Sequence, residues 1–293
     1  MEPVAIAVHG GAGPRRRPDE TRERQIHAAL RRAREVGREA LEAGRPALDA
    51  VVAAAAVLED EPSFNAGRGS VLTEAGTVEM DAAVMRGDDR AVGAVASVRR
   101  VRHPVALARA VLDRGSEAIL CGEPAERLAA SGGLELVAEE ELIVERQRER
   151  WRRRSGPGYP GTVGAVAFDR AGGSAAATSS GGQAGQVAGR SGDSPVPGAG
   201  TWADAMTAAV SATGDGEAIL RAACAHEVHV RVRAGWSLAD AADAAIFTEL
   251  ARLGSDGGLI AVDAEGNVAM PFSTEAMNRG SWSGGGPLRT AID

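Results

Sequence analysis

Thr162 is the residue whose surroundings most suggest chemistry. It follows Gly161 directly and opens the run Thr162-Val163-Gly164-Ala165-Val166-Ala167-Phe168, small and β-branched as a strand would be. A threonine hydroxyl is a weak nucleophile unless a base stands beside it. One solution uses the residue's own α-amine, released when the preceding peptide bond is cut. Such an amine titrates near about 8, so at neutral pH a useful fraction is free to accept the hydroxyl proton. Gly161 tolerates the backbone distortion that an N-to-O acyl shift demands. Taken alone, the segment reads more readily as an ordinary strand start.

Three neighbouring clusters bear on that choice. Ala177-Thr178-Ser179-Ser180-Gly181-Gly182 ends a second strand in hydroxyls and glycines. Gly189-Arg190-Ser191-Gly192-Asp193-Ser194-Pro195 sets Arg190 and Asp193 three apart in a turn, where they could clamp the α-carboxylate and α-ammonium of an amino acid. Ala212-Thr213-Gly214-Asp215-Gly216-Glu217 brings backbone N–H groups to a helix start, a natural oxyanion site.

Other chemistries fit less well. His9-Gly10-Gly11 resembles an esterase oxyanion loop, but the chain has no Gly-x-Ser-x-Gly elbow, and Arg16 stands where a dinucleotide fingerprint needs its third glycine. A tight turn after an edge strand is the plain reading. His226-Glu227-Val228-His229 lacks the His-Glu-x-x-His spacing that puts two zinc ligands on one helical face, so surface histidines are expected there. All 33 basic residues are arginine, which removes every lysine-dependent mechanism. The net charge of −7 disfavours a nucleic-acid or anionic-membrane partner. Cys121 and Cys224 cannot build a disulfide framework, the chain opens without a basic, apolar leader, and its longest apolar run, 47–58, contains Asp49 and falls short of the roughly 20 residues a membrane span needs. A soluble, cytoplasmic-type protein is expected.

The elements that must position these residues follow from periodicity. Residues 4–8 read as a strand ending in a glycine-rich turn over 9–14, and 19–42 as a helix with Ile26, Ala29, Leu30, Ala33 and Val36 on one face. Residues 46–58 read as a buried helix and 59–69 as an ordered loop. Strands are expected at 77–85 and 91–99, and helices at 103–113 and 123–130. Residues 144–160 read as a solvated helix end running into a flexible linker. Beyond it come a hairpin of 161–169 with 174–180, a strand at 206–212, long helices at 216–232 and 237–253, and a closing hairpin of 258–262 with 267–272. At 44% apolar and only 3% aromatic residues, Ala, Val and Leu must fill the core. Grouped hairpins flanked by helices suggest antiparallel sheets covered by helices.

The chain resembles the plant-type L-asparaginase / isoaspartyl peptidase family of N-terminal-nucleophile hydrolases. The resemblance runs through Val8-His9-Gly10-Gly11-Ala12-Gly13, Phe64-Asn65-Ala66-Gly67, Met80-Asp81-Ala82, Gly161-Thr162-Val163-Gly164-Ala165-Val166, Gly189-Arg190-x-Gly192-Asp193-Ser194-Pro195, Thr213-Gly214-x-Gly216-Glu217, Gly257-Gly258 and Met277-x-Arg279-Gly280. It implies an α+β fold, a four-layer αββα sandwich over 1–293 as one domain, made as a precursor that cuts itself into 1–161 and 162–293. Thr162 would then attack a side-chain amide or β-aspartyl carbonyl, with L-asparagine and β-aspartyl dipeptides as substrates. Ser180, standing where the family has Thr, would hydrogen-bond the nucleophile; Thr213 and Gly214 would form the oxyanion hole; Asn65 would orient Thr213. Arg190 and Asp193 would hold the aspartyl head, helped by the Gly216 carbonyl. No cofactor is implied for the chemistry. The loop from Leu58 resembles a sodium-binding loop whose ligands would be the carbonyls of Leu58, Glu59, Glu61, Phe64, Ala66 and Arg68, hard oxygens that suit an alkali ion. The resemblance also implies a homodimer of processed heterodimers. Gln183-Ala184-Gly185-Gln186, Glu117, Pro124 and Ser273 depart from the family pattern. A glycosylasparaginase-like amidase and a processing-deficient homologue that only binds amino acids or a partner are the alternatives.

Overall fold

The computed structural model describes residues 3–14, 20–153, 161–284, 286 and 289–292. In chain order they form β1 (Ala5–Gly13), α1 (Glu20–Glu42), α2 (Ala47–Glu59), β2 (Met80–Arg86), β3 (Val92–Val98), α3 (Pro104–Arg114), β4 (Ile119–Cys121), α4 (Gly122–Ser131), α5 (Glu139–Leu142) and α6 (Glu145–Arg152). The second half contributes β5 (Val163–Phe168), β6 (Ser174–Ser180), β7 (Thr201–Ala203), β8 (Ala208–Gly214), α7 (Gly216–Ala222), α8 (Cys224–Arg233), α9 (Leu238–Ala244) running into a π-helical stretch (Ala245–Leu250), β9 (Gly257–Asp263), β10 (Val268–Ala269), β11 (Ala276–Ser283) and β12 (Arg289–Ala291). The linker part of 154–160 lies outside the described residues.

Two sheets result. The larger has the order β12-β11-β1-β5-β6-β2-β3-β4 and the smaller β10-β9-β8-β7. Every named strand pair is antiparallel except β3 with β4. Strand alternation then explains the layers. On β1, Ile6 and Val8 join the cluster that packs α1, α2 and α3 against the larger sheet, whereas Ala5 and Ala7 face the smaller sheet beside Ala209, Ile260 and Val262. The outer face of the smaller sheet is covered by α7, α8 and α9 through Ile219, Val228, Leu238 and Ile246. The stacking is helix, sheet, sheet, helix, the α+β sandwich expected. β5 and β6 are buried along their whole length; β5 is apolar on both faces, and β6 is built of alanines and small hydroxyl residues.

Long-range acceptors begin two of the helices. Neither Pro46 before α2 nor His103 before α3 supplies a side-chain cap. Asp169, in the β5–β6 turn, accepts the Ala47 N–H at 2.7 Å, and Glu59 accepts the Val105 N–H at 3.0 Å.

Several expectations are corrected. The glycine-rich 9–14 segment is not a turn after an edge strand: β1 continues to Gly13, in the middle of the larger sheet, with a bulge between His9 and Ala12. The helix expected over 216–232 is broken at Ala223, whose φ of 47° ends α7 and starts α8. The strand expected at 206–212 sits two residues later. β4, β7, β11 and β12 were not foreseen. His229 is buried rather than on the surface, with Nδ1 2.7 Å from Thr207 Oγ1 and its ring 5.2 Å from Trp202. No helix among the described residues is long and apolar enough to cross a membrane.

Candidate active site

Antiparallel pairing of β5 with β6 matches Val163 to Ser179, so one step further along Thr162 lies beside Ser180. Thr162 Oγ1 donates to Ser180 Oγ at 3.2 Å, and Ser180 Oγ also accepts the Gly182 N–H at 3.0 Å. Both side chains are buried, Thr162 at 8% exposure and Ser180 at 6%. The peptide before Thr162 is held too: Gly161 O accepts the Asn65 N–H at 3.3 Å. Here the glycines of β1 find their reason. Gly11 has φ +101°, and a Cβ on it would fall 2.1 Å from Gly161 Cα, so only glycine lets the two backbones approach.

Behind Thr162 lies a buried polar network between the sheets. His9 Nε2 is 2.9 Å from Ser211 Oγ, which is 2.7 Å from Thr178 Oγ1, which in turn accepts from Thr201 Oγ1 at 2.7 Å. Burial pulls the His9 pKa down to about 3, the backbone of Thr162 acting the other way. His9 is therefore a neutral structural imidazole beside the Thr162 main chain.

One cleft is lined by Asp81, Thr162, Ser180, Gly182, Gln183, Arg190, Gly192, Asp193, Ser194, Gly214 and Gly216. Arg190 donates from Nε and Nη2 to Glu217 at 2.9 and 2.8 Å, and from Nη1 to Gln186 Oε1 at 3.3 Å. This side-on pairing with Glu217 orients the guanidinium fork over Gly192 and Gly216. A Cβ on Gly216 would lie 2.8 Å from Asp193 Oδ1 and 3.0 Å from Arg190 Nη2, so the bare backbone there keeps the space beside both groups open. Asp193 is 5% exposed, and its Oδ2 has no partner among the described residues. Desolvation pushes its pKa up to about 7, with the Arg190 charge opposing. A buried carboxylate oxygen left without a donor, next to a guanidinium, suits a ligand that brings an ammonium and a carboxylate.

Gly214 ends β8 at the cleft, and Asp215 caps α7 by accepting the Glu217 N–H at 3.2 Å. Thr213 is buried behind it, its Oγ1 accepting the Ala12 N–H at 3.3 Å. The Asn65 side chain sits elsewhere than expected. It donates to Gly182 O at 2.8 Å and accepts the Val71 N–H at 2.9 Å, so it holds the turn after β6 rather than Thr213. In the loop after α2, Glu59 O accepts the Arg68 N–H at 2.8 Å and Glu61 O the Phe64 N–H at 3.1 Å. Two residues that sequence reasoning gave no role are Asp81, which lines the cleft and was seen only as part of Met80-Asp81-Ala82, and Glu217, which holds Arg190 from outside the lining and was seen only as the end of the Thr213 motif.

Comparison with known proteins agrees with this geometry. A family model described as asparaginase matches residues 1–160 and 156–292. The isoaspartyl peptidase of Salmonella typhimurium is 43% identical over 308 aligned positions, covering 99% of this chain and 98% of the relative. The isoaspartyl peptidase/L-asparaginase of Bos taurus is 39% identical, covering 100% of this chain and 97% of its own, and that of Homo sapiens is 37% identical, covering 94% and 92%. Matched along its length by the family model and by such relatives, and carrying a Thr162–Ser180 hydroxyl pair in one cleft with Arg190 and Asp193, the chain belongs to this asparaginase family.

Proposed function

We propose that the protein is a self-activating threonine amidohydrolase that cleaves β-aspartyl dipeptides and L-asparagine. The observation that carries the reading is the meeting, in one cleft, of the Thr162 hydroxyl with the half-buried Arg190 and the buried Asp193, whose Oδ2 lacks a donor among the described residues. The relatives' names, isoaspartyl peptidase and L-asparaginase, support this substrate class over a glycosylasparaginase.

Activation begins with attack of Thr162 Oγ on the Gly161 carbonyl carbon. The Asn65 N–H on Gly161 O stabilises the developing oxyanion. The C–N bond breaks, the hydroxyl proton passes to the nitrogen, and water hydrolyses the ester, leaving fragments 1–161 and 162–293 within one domain. The new α-amine then takes the Thr162 hydroxyl proton as Oγ attacks the substrate's side-chain carbonyl. Ser180 holds the nucleophile's orientation, and the backbone at Thr213 and Gly214 receives the oxyanion. Arg190 takes the α-carboxylate and Asp193, beside the Gly216 carbonyl, the α-ammonium. The proton leaves with the departing amine, and water releases aspartate from the acyl-enzyme.

A sodium ion fits the loop after α2 by donor chemistry. A carbonyl oxygen has two lone pairs, so an N–H bond to Glu59 or Glu61 leaves one for a cation. The carbonyls of Leu58, Glu59, Glu61, Phe64, Ala66 and Arg68 would hold the ion, which would stiffen the loop carrying Asn65. A dimer of processed heterodimers completes the reading, and the unpaired thiols of Cys121 and Cys224 support a reducing, cytoplasmic setting for it. The test is Thr162→Ala: it should remain one chain and release no aspartate from a β-aspartyl dipeptide, and aspartate release at the wild-type rate would overturn the assignment.

A further inference from the structure

Asp81 has no role in the steps above, yet it lines the same cleft. It lies on β2, in the fragment that ends at Gly161, directly opposite Ser180 in the β2–β6 pairing. The side chain is buried and fully engaged. Oδ1 accepts the Ser97 N–H at 2.9 Å; Oδ2 accepts the Ser191 hydroxyl at 2.9 Å and the Gly192 N–H at 3.2 Å. Two residues earlier, Glu79 Oε2 accepts the Gly189 N–H at 2.7 Å. Side chains at i and i+2 of an extended segment share a face, so this segment aims two carboxylates at one loop. They grip Gly189 on one side of Arg190 and Ser191 and Gly192 on the other. Ser97, bonded to the opposite Asp81 oxygen, is a non-glycine residue at φ +53°, a conformation that persists where its surroundings over-determine it.

Building on the amidohydrolase reading, we infer that Asp81, assisted by Glu79, is a positioning residue for the substrate clamp. It fixes the 189–192 loop, and with it the Arg190 fork and the Asp193 carboxylate, so that affinity for the aspartyl head is set from the fragment that does not carry the nucleophile. Removing the carboxylate leaves the Gly192 N–H without its charged acceptor and releases the loop. The side-chain hydrogen bonds of Thr162 and Ser180 do not involve the Asp81 carboxylate, so the chemical step and self-cleavage should survive.

Electrostatics supplies a signature that loosening alone would not. The charged groups facing Asp193 are Arg190, Asp81 and Glu217, with the Cys224 thiol, pushed up to about 12 by burial, remaining neutral. Asp81 is a like charge that holds the Asp193 pKa up, although burial also raises its own pKa against its three donors. Asp81→Asn removes that charge, so Asp193 should ionise at lower pH and the acid limb of the KM profile should move down.

The experiment uses self-cleaved wild type, Asp81→Ala, Asp81→Asn and Ser191→Ala. It reads fragment formation, L-aspartate binding by calorimetry, and kcat and KM for a β-aspartyl dipeptide on both sides of neutral pH. Asp81→Ala should raise KM and the L-aspartate Kd about tenfold or more while kcat stays within about threefold, with Ser191→Ala moving the same way by less. Asp81→Asn should also shift the acid limb. Unchanged KM and Kd, a fall in kcat alone, or a raised KM with an unmoved acid limb would overturn the inference. If Asp81→Ala does not fold, Ser191→Ala, which removes one hydroxyl, decides through its Kd. Wild type that binds L-aspartate but turns nothing over sinks the hydrolase reading and leaves the Kd comparison valid; normal turnover with indifferent variants sinks this inference alone.

Discussion

Asp193 is where burial and function conflict most openly. Its folded pKa of about 7 lies far above the usual carboxylate value, because the cleft withholds water, and its own backbone N–H and the Arg190 charge offset that only in part. Binding an ammonium needs the ionised form. KM for a β-aspartyl substrate should therefore rise as pH falls through about 7, while the saturated rate changes less. The same shift has a consequence for stability. A carboxyl whose folded pKa is raised contributes most below its unfolded pKa, and that contribution is lost as pH rises through the folded value. Asp193→Asn should accordingly raise the Tm at pH values above about 7 while abolishing useful binding, a comparison that thermal melts and initial rates settle together. Arg190→Ala makes a complementary prediction. Arg190 bonds Glu217 and Gln186 and has no hydrogen bond to Gly161 or Thr162, so self-cleavage should continue while turnover collapses. Equal loss of both on a gel and in an aspartate assay would contradict the clamp.

At the scale of elements, β5 carries function at one end and stability at the other. Thr162 precedes its first residue and Asp169 follows its last. Asp169 accepts the Ala47 N–H at the start of α2 and the N–H groups of Ala171 and Gly173 in its own turn. Asp169→Ala should cost about 1–2 kcal/mol in denaturant melts, the usual loss of a helix cap, and leave turnover by the remaining folded protein unchanged. The hairpin of β5 and β6 and the helices α1 and α2 were legible in the sequence, because small and β-branched residues around a glycine turn mark the first and apolar helical patterning the others, whereas the pairing of Ser180 with Thr162 was legible only through the family resemblance. Other features were hidden for physical reasons. Gly10, Gly11 and Gly13 read as a turn because glycine usually marks one; here Gly11 serves a close backbone approach to Gly161 inside a strand. The start of α8 after Ala223, where Ala199 O accepts the Ala225 N–H and Gly198 O the His226 N–H, and the cap on α2 depend on residues distant in sequence, as does the grip of Asp81 on Ser191, 110 positions away. A residue-by-residue period carries no trace of such partners.

At the scale of the whole molecule, the larger sheet interleaves the two segments that cleavage at Gly161–Thr162 would create. β1, from the first, pairs with β11 and β5 of the second, and β6 of the second pairs with β2 of the first. Cutting Gly161–Thr162 therefore removes one covalent bond and none of these ladders. Fragments 1–161 and 162–293 should co-elute from a sizing column in native buffer and melt in one transition; separation without denaturant would contradict the shared sheet. The central claim is that Thr162 acts with its own α-amine as base, and the mass of the second fragment tests it most directly. Matured, active protein should yield a fragment whose intact mass and N-terminal sequence begin at Thr162, and brief exposure to substrate should add one aspartyl group to it. Full activity from a chain still joined at Gly161–Thr162, or from one cut elsewhere, would contradict the account.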